Sequence, residues 1–347
     1  MTRHLKEGNA MTRHLKEGNV MCKGKKWFLL FLLFAISIGI FTWAEQVQSQ
    51  DKYPTGPIDI IVPFGAGGST DLHNRVMATY MHKKWSVPVN VINKPGGNTV
   101  PGCLEVYHAL PDGYTLLADA PSSSSQLEVV VKNLPFKVMD RTFIGMFSSD
   151  PFTINVPPNS PFKSLKDLEV EAKRNPGKFS WVSLGGTGGP DFVQRQFLYT
   201  IGVDVLKTKP VMVTSGNEGA ALVAGGNVVM GVVSLSSSIP MIKAGFIRSL
   251  AVSDNRRCPD LPDVPTTAEC GYPTVTYRYW MAISGPPKLP THIVDKWDNA
   301  LQEMVKDPEA ISNMKKIGAT PFYHNAHDTI EYIKEETKIV KELWGGK

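Results

Sequence analysis

Two glycine-rich turns are the segments whose residue types and spacing could do chemistry. The first reads Pro63-Phe64-Gly65-Ala66-Gly67-Gly68-Ser69-Thr70-Asp71, and the second reads Ser183-Leu184-Gly185-Gly186-Thr187-Gly188-Gly189-Pro190-Asp191. Each turn lies between a short apolar run and an amphipathic one, which predicts a strand, a turn and a helix start. A helix start presents free N–H groups and about half a positive charge, which suits a carboxylate or a phosphate. A capped turn without a ligand is the alternative for either turn alone.

Neither turn fits a nucleotide-binding motif. The spacing of Gly65, Gly67 and Gly68 is not G-x-G-x-x-G, and no Lys-Ser/Thr pair follows as a P-loop requires. Neither turn contains Lys or Arg, which favours an organic anion that is held by neutral donors and can be released. Because ligands favour strand ends and domain interfaces, two such turns predict a pocket between two domains.

Catalytic motifs find little support in the sequence. Trp181 and Val232 stand where a G-x-S-x-G motif around Ser183 or Ser234 needs glycine. No H-E-x-x-H occurs, and the pair His324 and His327 is typical of surface residues rather than of metal ligands. The sequence therefore predicts no catalytic residue, no metal site and no cofactor.

Three polar features lie near the predicted pocket. His73 falls in the first turn of the first helix, where it could sense the ligand, although an ordinary surface histidine is the favoured interpretation. Arg75 follows Asp71 by four residues and is expected to pair with it on the helix surface. Ser122 to Ser125 follow a strand and either line the cleft with hydroxyls or form a plain polar loop.

The surrounding pattern indicates two α/β domains. Strands at 58–62, 89–92 and 114–118 alternate with a helix at 71–85, which predicts a parallel sheet. In a second set that begins near Phe152, Ser164 and Asp167 form a capping-box pattern at the start of a helix over 165–174.

The first 44 residues are typical of an export signal. Lys23, Lys25 and Lys26 precede the uncharged run Trp27–Phe41, and Thr42-Trp43-Ala44 offers a small-residue cleavage site. A membrane anchor is the alternative, but the run of about 15 residues is shorter than the ~20 that span a bilayer. Residues 1–10 and 11–20 are nearly identical decapeptides, which indicates a duplicated or misassigned start. We predict cleavage after Ala44 and a periplasmic protein.

Export permits disulfides, and Cys258 and Cys270 flank a proline-rich loop that a bridge could close. Buried free thiols are the alternative. The net charge of +5 comes from the N-terminal segment, because the chain after Ala44 carries 30 Lys/Arg and 30 Asp/Glu. A neutral body offers no footprint for a phosphate backbone, so a nucleic-acid partner is not expected.

Several motifs in order resemble the substrate-binding proteins of the tripartite tricarboxylate transporter family, also called Bug receptors. The resemblance covers 53–344 and is carried by Tyr53-Pro54 with Pro57-Ile58, Val62-Pro63-Phe64, Gly67-Gly68-x-x-Asp71, Asn93-x-Pro95-Gly96, Pro111-Asp112-Gly113-Tyr114-Thr115-Leu116 and Leu261-Pro262-Asp263-Val264-Pro265-Thr266. It implies an α/β, two-lobed periplasmic binding protein of the Venus-flytrap type, in which each lobe is a mixed, mostly parallel sheet flanked by helices.

The resemblance also implies a domain plan and a function. The plan has an N-terminal extension and signal peptide at 1–44, a first lobe at 45–151 and 276–347, and a second lobe at 152–275, with hinge crossings near 150–152 and 274–276. The function is a non-enzymatic receptor that closes on a small carboxylate and delivers it to membrane permease subunits. A ligand sensor that signals through its closed state, or an exported α/β hydrolase, are the alternatives.

By position, the resemblance implies a ligand site shared between the two turns. Asp71 is expected to order its loop rather than touch an anion. Loss of hydroxyls at Gly188 and Gly189 and a carboxylate at Asp191 favour a ligand with one carboxylate and a neutral or cationic far end over citrate. The predicted ligand-binding residues are Phe64, Ala66, Gly67, Gly68, Ser69, Thr70, Asp71, Ser122, Gly186, Thr187, Gly188 and Ser234.

Overall fold

Buried strands and amphipathic helices alternate through residues 53–345, which a computed structural model describes. The strands are β1 (Ile58–Val62), β2 (Val89–Asn93), β3 (Thr115–Asp119), β4 (Thr142–Val156), β5 (Ser180–Ser183), β6 (Lys209–Met212), β7 (Gly231–Ser234), β8 (Arg248–Val252), β9 (Arg278–Gly285) and β10 (Thr320–Asn325). The helices are α1 (Ser69–Trp85), α2 (Val100–Tyr107), α3 (Leu127–Val130), α4 (Leu165–Arg174), α5 (Gly189–Thr200), α6 (Gly216–Ala224), α7 (Leu235–Lys243), α8 (Thr291–Met304), α9 (Pro308–Lys316) and α10 (Ala326–Gly345). The predicted signal peptide and its cleavage site lie outside these residues.

One mixed sheet forms what we call the first lobe, with strand order β10-β4-β9-β3-β1-β2. Strands β2 and β3 pair in parallel with β1, whereas β9 runs antiparallel to both β3 and β4. The parallel part is the predicted strand–helix–strand unit, because such strands need a crossover helix between them. Its core includes Ile61, Leu117, Met146 and Trp280.

The 15-residue strand β4 continues out of this sheet into a second one. Its residues up to Pro151 pair with β9, and its residues from Phe152 onward pair with β7 and β8. Strands β5 and β6 form a parallel pair that a bridge between Trp181 and Met230 joins to this region. We call the β5–β8 region with the end of β4 the second lobe. Both lobes are therefore built on one strand.

The capping box at α4 shows how local sequence sets an element boundary. Ser164 Oγ accepts a hydrogen bond from the Asp167 amide at 3.2 Å, and Asp167 Oδ2 accepts one from the Ser164 amide at 2.9 Å. This reciprocal pair satisfies two amide donors that the helix leaves unpaired, so the predicted helix start is confirmed.

Of the two alternatives for Cys258 and Cys270, the structure has free thiols at both positions rather than a disulfide. Cys258 packs in an apolar cluster of the second lobe, with α7 and Leu261. The loop between the two cysteines is closed without a disulfide, since Glu269 accepts hydrogen bonds from Arg257 Nε at 2.9 Å and from the Thr266 amide at 2.7 Å.

Two serines of the run after β3 stabilise a buried ion pair. Asp119 and Arg141 lie 3.1 Å apart with fully buried side chains. Ser123 and Ser124 donate to Asp119 Oδ1 at 2.5 and 2.7 Å. Because a buried charge needs both a partner and hydrogen bonds, these hydroxyls stabilise the first lobe.

Candidate ligand-binding site

The first glycine turn is ordered by Asp71, as the sequence predicts. Asp71 Oδ2 accepts hydrogen bonds from the Gly67 amide and from Arg75 Nε, each at 2.9 Å. Its other oxygen accepts one from Asn93 Nδ2 at 2.9 Å. Gly67 has a φ of 77°, a left-handed conformation that glycine adopts without strain. The Asp71 carboxylate therefore folds the turn back onto its own helix.

The pKa of Asp71 reports how strongly this network favours the charged form. Burial alone would raise the pKa of Asp71, but the hydrogen bonds from Arg75, Gly67 and Asn93, with the charge of Arg75, lower it below its ordinary value. The predicted pair of Asp71 and Arg75 is confirmed, at 2.9 Å.

The second glycine turn uses Asp191 in a similar way. Asp191 is completely buried, and it accepts hydrogen bonds from Ser183 Oγ at 2.5 Å and from the Leu184 amide at 2.8 Å. Burial raises the pKa of Asp191 despite these hydrogen bonds. Because its oxygens bind the strand end and the turn, Asp191 does not supply the argument against a second ligand carboxylate that the sequence suggested.

Two further helix starts meet the two predicted ones. Helix α6 begins after Ser215, whose hydroxyl accepts a hydrogen bond from the Glu218 amide. Helix α7 begins after Ser234, and there the Ser236 amide donates to Asp150 Oδ2 at 3.0 Å. Four helix N-termini therefore converge, although the Ser236 amide at the start of α7 is already taken by Asp150.

An inner cavity of about 30 Å³ lies where these helix starts meet. The helix starts line it through Gly68, Ser69 and Thr70 of α1, Pro190 of α5, Ser215 and Gly216 of α6, and Ser234 of α7. Apolar walls complete it: Phe64, Phe152, Leu184 and Tyr279. Among residues 53–345, the lining of this cavity includes no Lys or Arg.

An outer cavity of about 250 Å³ adjoins the inner one and shares Phe64 and Leu184 with it. The loop 96–99 of the first lobe forms one side. The second lobe contributes Gly185, Met212, Val213, Thr214 and Glu218.

The predicted site residues separate into two groups. Phe64, Gly68, Ser69, Thr70 and Ser234 line the inner cavity. Seven others line neither cavity: Ala66, Gly67, Asp71, Ser122, Gly186, Thr187 and Gly188. Of these, Ala66 is exposed, whereas Ser122 is buried and lies 3.3 Å from the Tyr279 hydroxyl.

Unpaired buried polar atoms mark a part of the second lobe that sequence reasoning missed. Thr187 Oγ1 and both amide atoms of Gln194 are buried, and within the described part of the chain they have no hydrogen-bond partner. Gln194 lies four residues after Pro190 on α5, so the two share a helix face. Since buried polar groups are normally hydrogen-bonded, these atoms are suited to bind a ligand or a water molecule.

The two lobes touch at the mouth of the cavities. The Gly65 amide donates to the Thr214 carbonyl at 3.1 Å. At Gly185, a Cβ atom would lie 2.2 Å from Asn98 Oδ1. The lobes therefore approach each other through glycine backbone, which leaves little room between them.

His73 is not a surface residue, because its side chain is completely buried. Its Nδ1 lies 2.7 Å from Ser148 Oγ, and its Nε2 lies 3.7 Å from Asp150 Oδ2. Asp150, also fully buried, accepts hydrogen bonds from Ser69 Oγ at 3.2 Å and Ser236 Oγ at 2.5 Å. The carboxylate of Asp150 thus joins α1 of the first lobe to α7 of the second.

The family model described as the tripartite tricarboxylate transporter family receptor matches residues 74–344. This chain belongs to that family. Protein BugT of Bordetella pertussis is 29% identical to this receptor. The match covers 89% of the receptor chain and 94% of BugT.

Solved structures share the fold of the receptor. The periplasmic binding protein BugD is 26% identical, with a TM-score of 0.79 over 85% of this chain and 98% of BugD. A Rhodopseudomonas palustris protein solved with adipate is 24% identical, with a TM-score of 0.80 over 84% of this chain and 98% of its own. The predicted two-lobed fold of a periplasmic binding protein is confirmed.

Residues 53–345 contain neither a metal-binding cluster nor a helix that could span a membrane. No group of three His, Cys, Asp or Glu side chains is arranged to hold a metal ion, and His327 is exposed beside Asp328. Within the same residues, no helix combines the length and the apolar character that a bilayer crossing needs.

Proposed function

We propose that this receptor is an extracytoplasmic, periplasmic protein that binds a small carboxylate between its two lobes. It then delivers the ligand to the permease subunits of a tripartite tricarboxylate-type transporter. The observation that carries the proposal is the convergence of four helix N-termini on an inner cavity whose described lining lacks Lys and Arg. Backbone N–H groups and helix dipoles hold an anion without a fixed counter-charge, so the ligand can be released again.

The neighbours support the choice of ligand class. The Rhodopseudomonas palustris protein that shares this fold was solved with adipate, a small dicarboxylate. In our proposal the carboxylate meets Gly68, Ser69 and Thr70. The unpaired hydroxyl of Thr187 and the side-chain amide of Gln194, which lie outside the cavity lining, reach the ligand through water.

Lobe closure is the proposed working motion. The hinge lies where β4 changes partners, at 150–152, with the return crossing at 274–276. A ligand that contacts both lobes binds the closed form more tightly and therefore shifts the population toward it.

Native mass spectrometry of protein purified without refolding tests the proposal, with thermal-shift screening of mono-, di- and tricarboxylates. We expect a retained organic acid, or a rise in melting temperature with at least one acid. If no acid is retained and none raises the melting temperature, the receptor assignment is wrong.

A substitution locates the site. Gly68→Val adds bulk to the inner cavity, where a Cβ at Gly68 would already lie 3.4 Å from the Gly65 carbonyl. We expect it to abolish binding while circular dichroism stays unchanged. Gly177→Val is the matched control, since a Cβ there has open space within 4 Å.

Deleting the gene tests the transport role. We expect a strain without the receptor to lose uptake of the identified acid, and a strain without the permease subunits to show the same loss. Normal uptake without the receptor would contradict delivery to a transporter.

A further inference from the structure

The inner cavity is too small to hold an organic acid by itself. Its volume of about 30 Å³ has room for about two water molecules. The adjoining outer cavity has about 250 Å³ and shares the walls Phe64 and Leu184 with the inner one. A ligand whose carboxylate reaches the helix starts must therefore extend into the outer cavity.

The outer cavity has a distinct electrostatic character. Glu218 is the one charged side chain in its lining, as far as residues 53–345 define it. Its Oε2 is held by the Thr214 amide at 2.8 Å and by Thr214 Oγ1 at 3.0 Å. Because the carboxylate is fixed at this position and residues 53–345 place no cation in the lining, a second ligand carboxylate would meet a like charge there.

The remaining lining suits an uncharged or positive group. Met212, Val213 and Pro63 offer apolar contact, and Asn98 offers an amide. Asn98 and Thr99 have φ values of 51° and 70°, a left-handed conformation that is uncommon for residues other than glycine and is strained for a β-branched one. Such strain concentrates at binding sites, which fits a loop held in place to present Asn98.

We propose that the outer cavity is a subsite for the far end of the ligand, that it accepts a neutral or positively charged end, and that Glu218 disfavours a second carboxylate. The ligand class is therefore a monocarboxylate with an apolar, amide-like, hydroxyl or ammonium end. This inference rests on the proposed function, because it presumes that one carboxylate binds at the helix starts.

Two matched series of acids test the subsite. The six-carbon series is hexanoate, adipate and 6-aminohexanoate, and the four-carbon series is butyrate, succinate and 4-aminobutyrate. Titration calorimetry on the receptor is expected to give a Kd for the best mono- or amino acid at least ten-fold below that of the diacid of the same length. The inference would be overturned if the diacid bound as tightly as, or more tightly than, both the monoacid and the amino acid of the same length.

The variant Glu218→Gln assigns the effect to one residue. Glutamine keeps an oxygen that can accept from Thr214 but removes the charge. We expect the preference against the diacid to shrink about four-fold. This factor corresponds to the Coulomb repulsion between two unit charges about 5 Å apart in water. An unchanged preference would show that Glu218 does not disfavour the second carboxylate. Glu335→Gln, on an exposed face of α10, is the control and is expected to leave the preference unchanged.

The outcomes separate this inference from the proposed function. If none of the six acids binds, the subsite as stated is wrong, and the retained ligand in native mass spectrometry still decides the receptor assignment. If a tricarboxylate is retained, the receptor assignment stands and the inference about Glu218 is overturned.

Discussion

The two glycine turns look alike in sequence but are stabilised in different ways. In the first, Asp71 is ionised within a network that includes Arg75, whose side chain is half exposed. In the second, Asp191 is sealed from solvent and bound to a hydroxyl and an amide of its own segment. The difference teaches that a repeated motif fixes the backbone turn, whereas its surroundings decide the charge state.

The largest expected effect comes from removing these carboxylates. We expect Asp191→Ala to lower the free energy of unfolding by about 3 kcal/mol, because the Ser183 hydroxyl and the Leu184 amide lose their acceptor in a fully buried place. Asp71→Ala is expected to cost about half as much, since water can reach Arg75 once its partner is gone. Urea unfolding of both variants measures these changes. Equal losses of unfolding free energy would contradict the difference between the two turns.

The next effect concerns the first residue of each helix. Helix α1 begins with Ser69, whereas α5 begins with Gly189, where a Cβ would lie 2.2 Å from the Phe152 ring and 2.9 Å from that of Tyr279. We expect Gly189→Ala to destabilise the receptor by about 2 kcal/mol through overpacking. Gly177→Ala, which has open space, is the control. A neutral Gly189→Ala would show that the two rings can move apart.

The contributions of Asp71 and Asp191 to folding stability should change with pH in opposite directions. The lowered pKa of Asp71 gives stabilisation that is present above its ordinary pKa of 3.8 and is lost as the pH falls through the folded-state value. The raised pKa of Asp191 gives stabilisation that is present below 3.8 and is lost as the pH rises through its folded-state value.

Each sign can be measured with an asparagine variant. The stability advantage of the wild type over Asp71→Asn should shrink below pH 4, whereas its advantage over Asp191→Asn should shrink as the pH rises above 4. Chemical unfolding across this range provides the measurement. The same sign in both variants would mean that the two carboxylates have one environment.

The smallest effect tests the unpaired hydroxyl of the second turn. Thr187→Val removes a buried hydroxyl that has no hydrogen-bond partner among residues 53–345, so the free energy of unfolding should change by less than about 0.5 kcal/mol. Affinity for the retained acid should fall about five-fold, the value of one hydrogen bond. Thr70→Val is the counterpart in the first turn, where the hydroxyl lies 3.4 Å from the Tyr279 hydroxyl. Unchanged affinity in Thr187→Val would remove Thr187 from the site.

Local patterns were enough to predict the strand–turn–helix units. Apolar spacing and the Ser164 capping box are read within a few residues, so β1, α1 and α4 could be placed closely. Strand β4 was missed, because Ser148 to Pro151 interrupt its apolar run and proline is unusual inside a sheet. The strand forms nevertheless, since it changes partners at that point.

The site itself was only partly readable. The two glycine-rich helix starts carry a sequence signal, but the starts of α6 and α7 join them through packing of distant segments. The burial of His73 and the roles of Asp150 and Glu218 depend on the same long-range packing. A single sequence does not show whether a given histidine or carboxylate is exposed or buried.

The shared carboxylate of Asp150 has a consequence for the empty receptor. Any rotation that separates Ser69 from Ser236 must break one set of its hydrogen bonds and expose a carboxyl group that is otherwise fully buried. The hydrogen bonds of Asp150 therefore help to set the equilibrium between the open and closed forms of the receptor even without ligand. Changing the Asp150 side chain would therefore shift how readily the receptor closes, and it would also free the Ser69 hydroxyl at the proposed site.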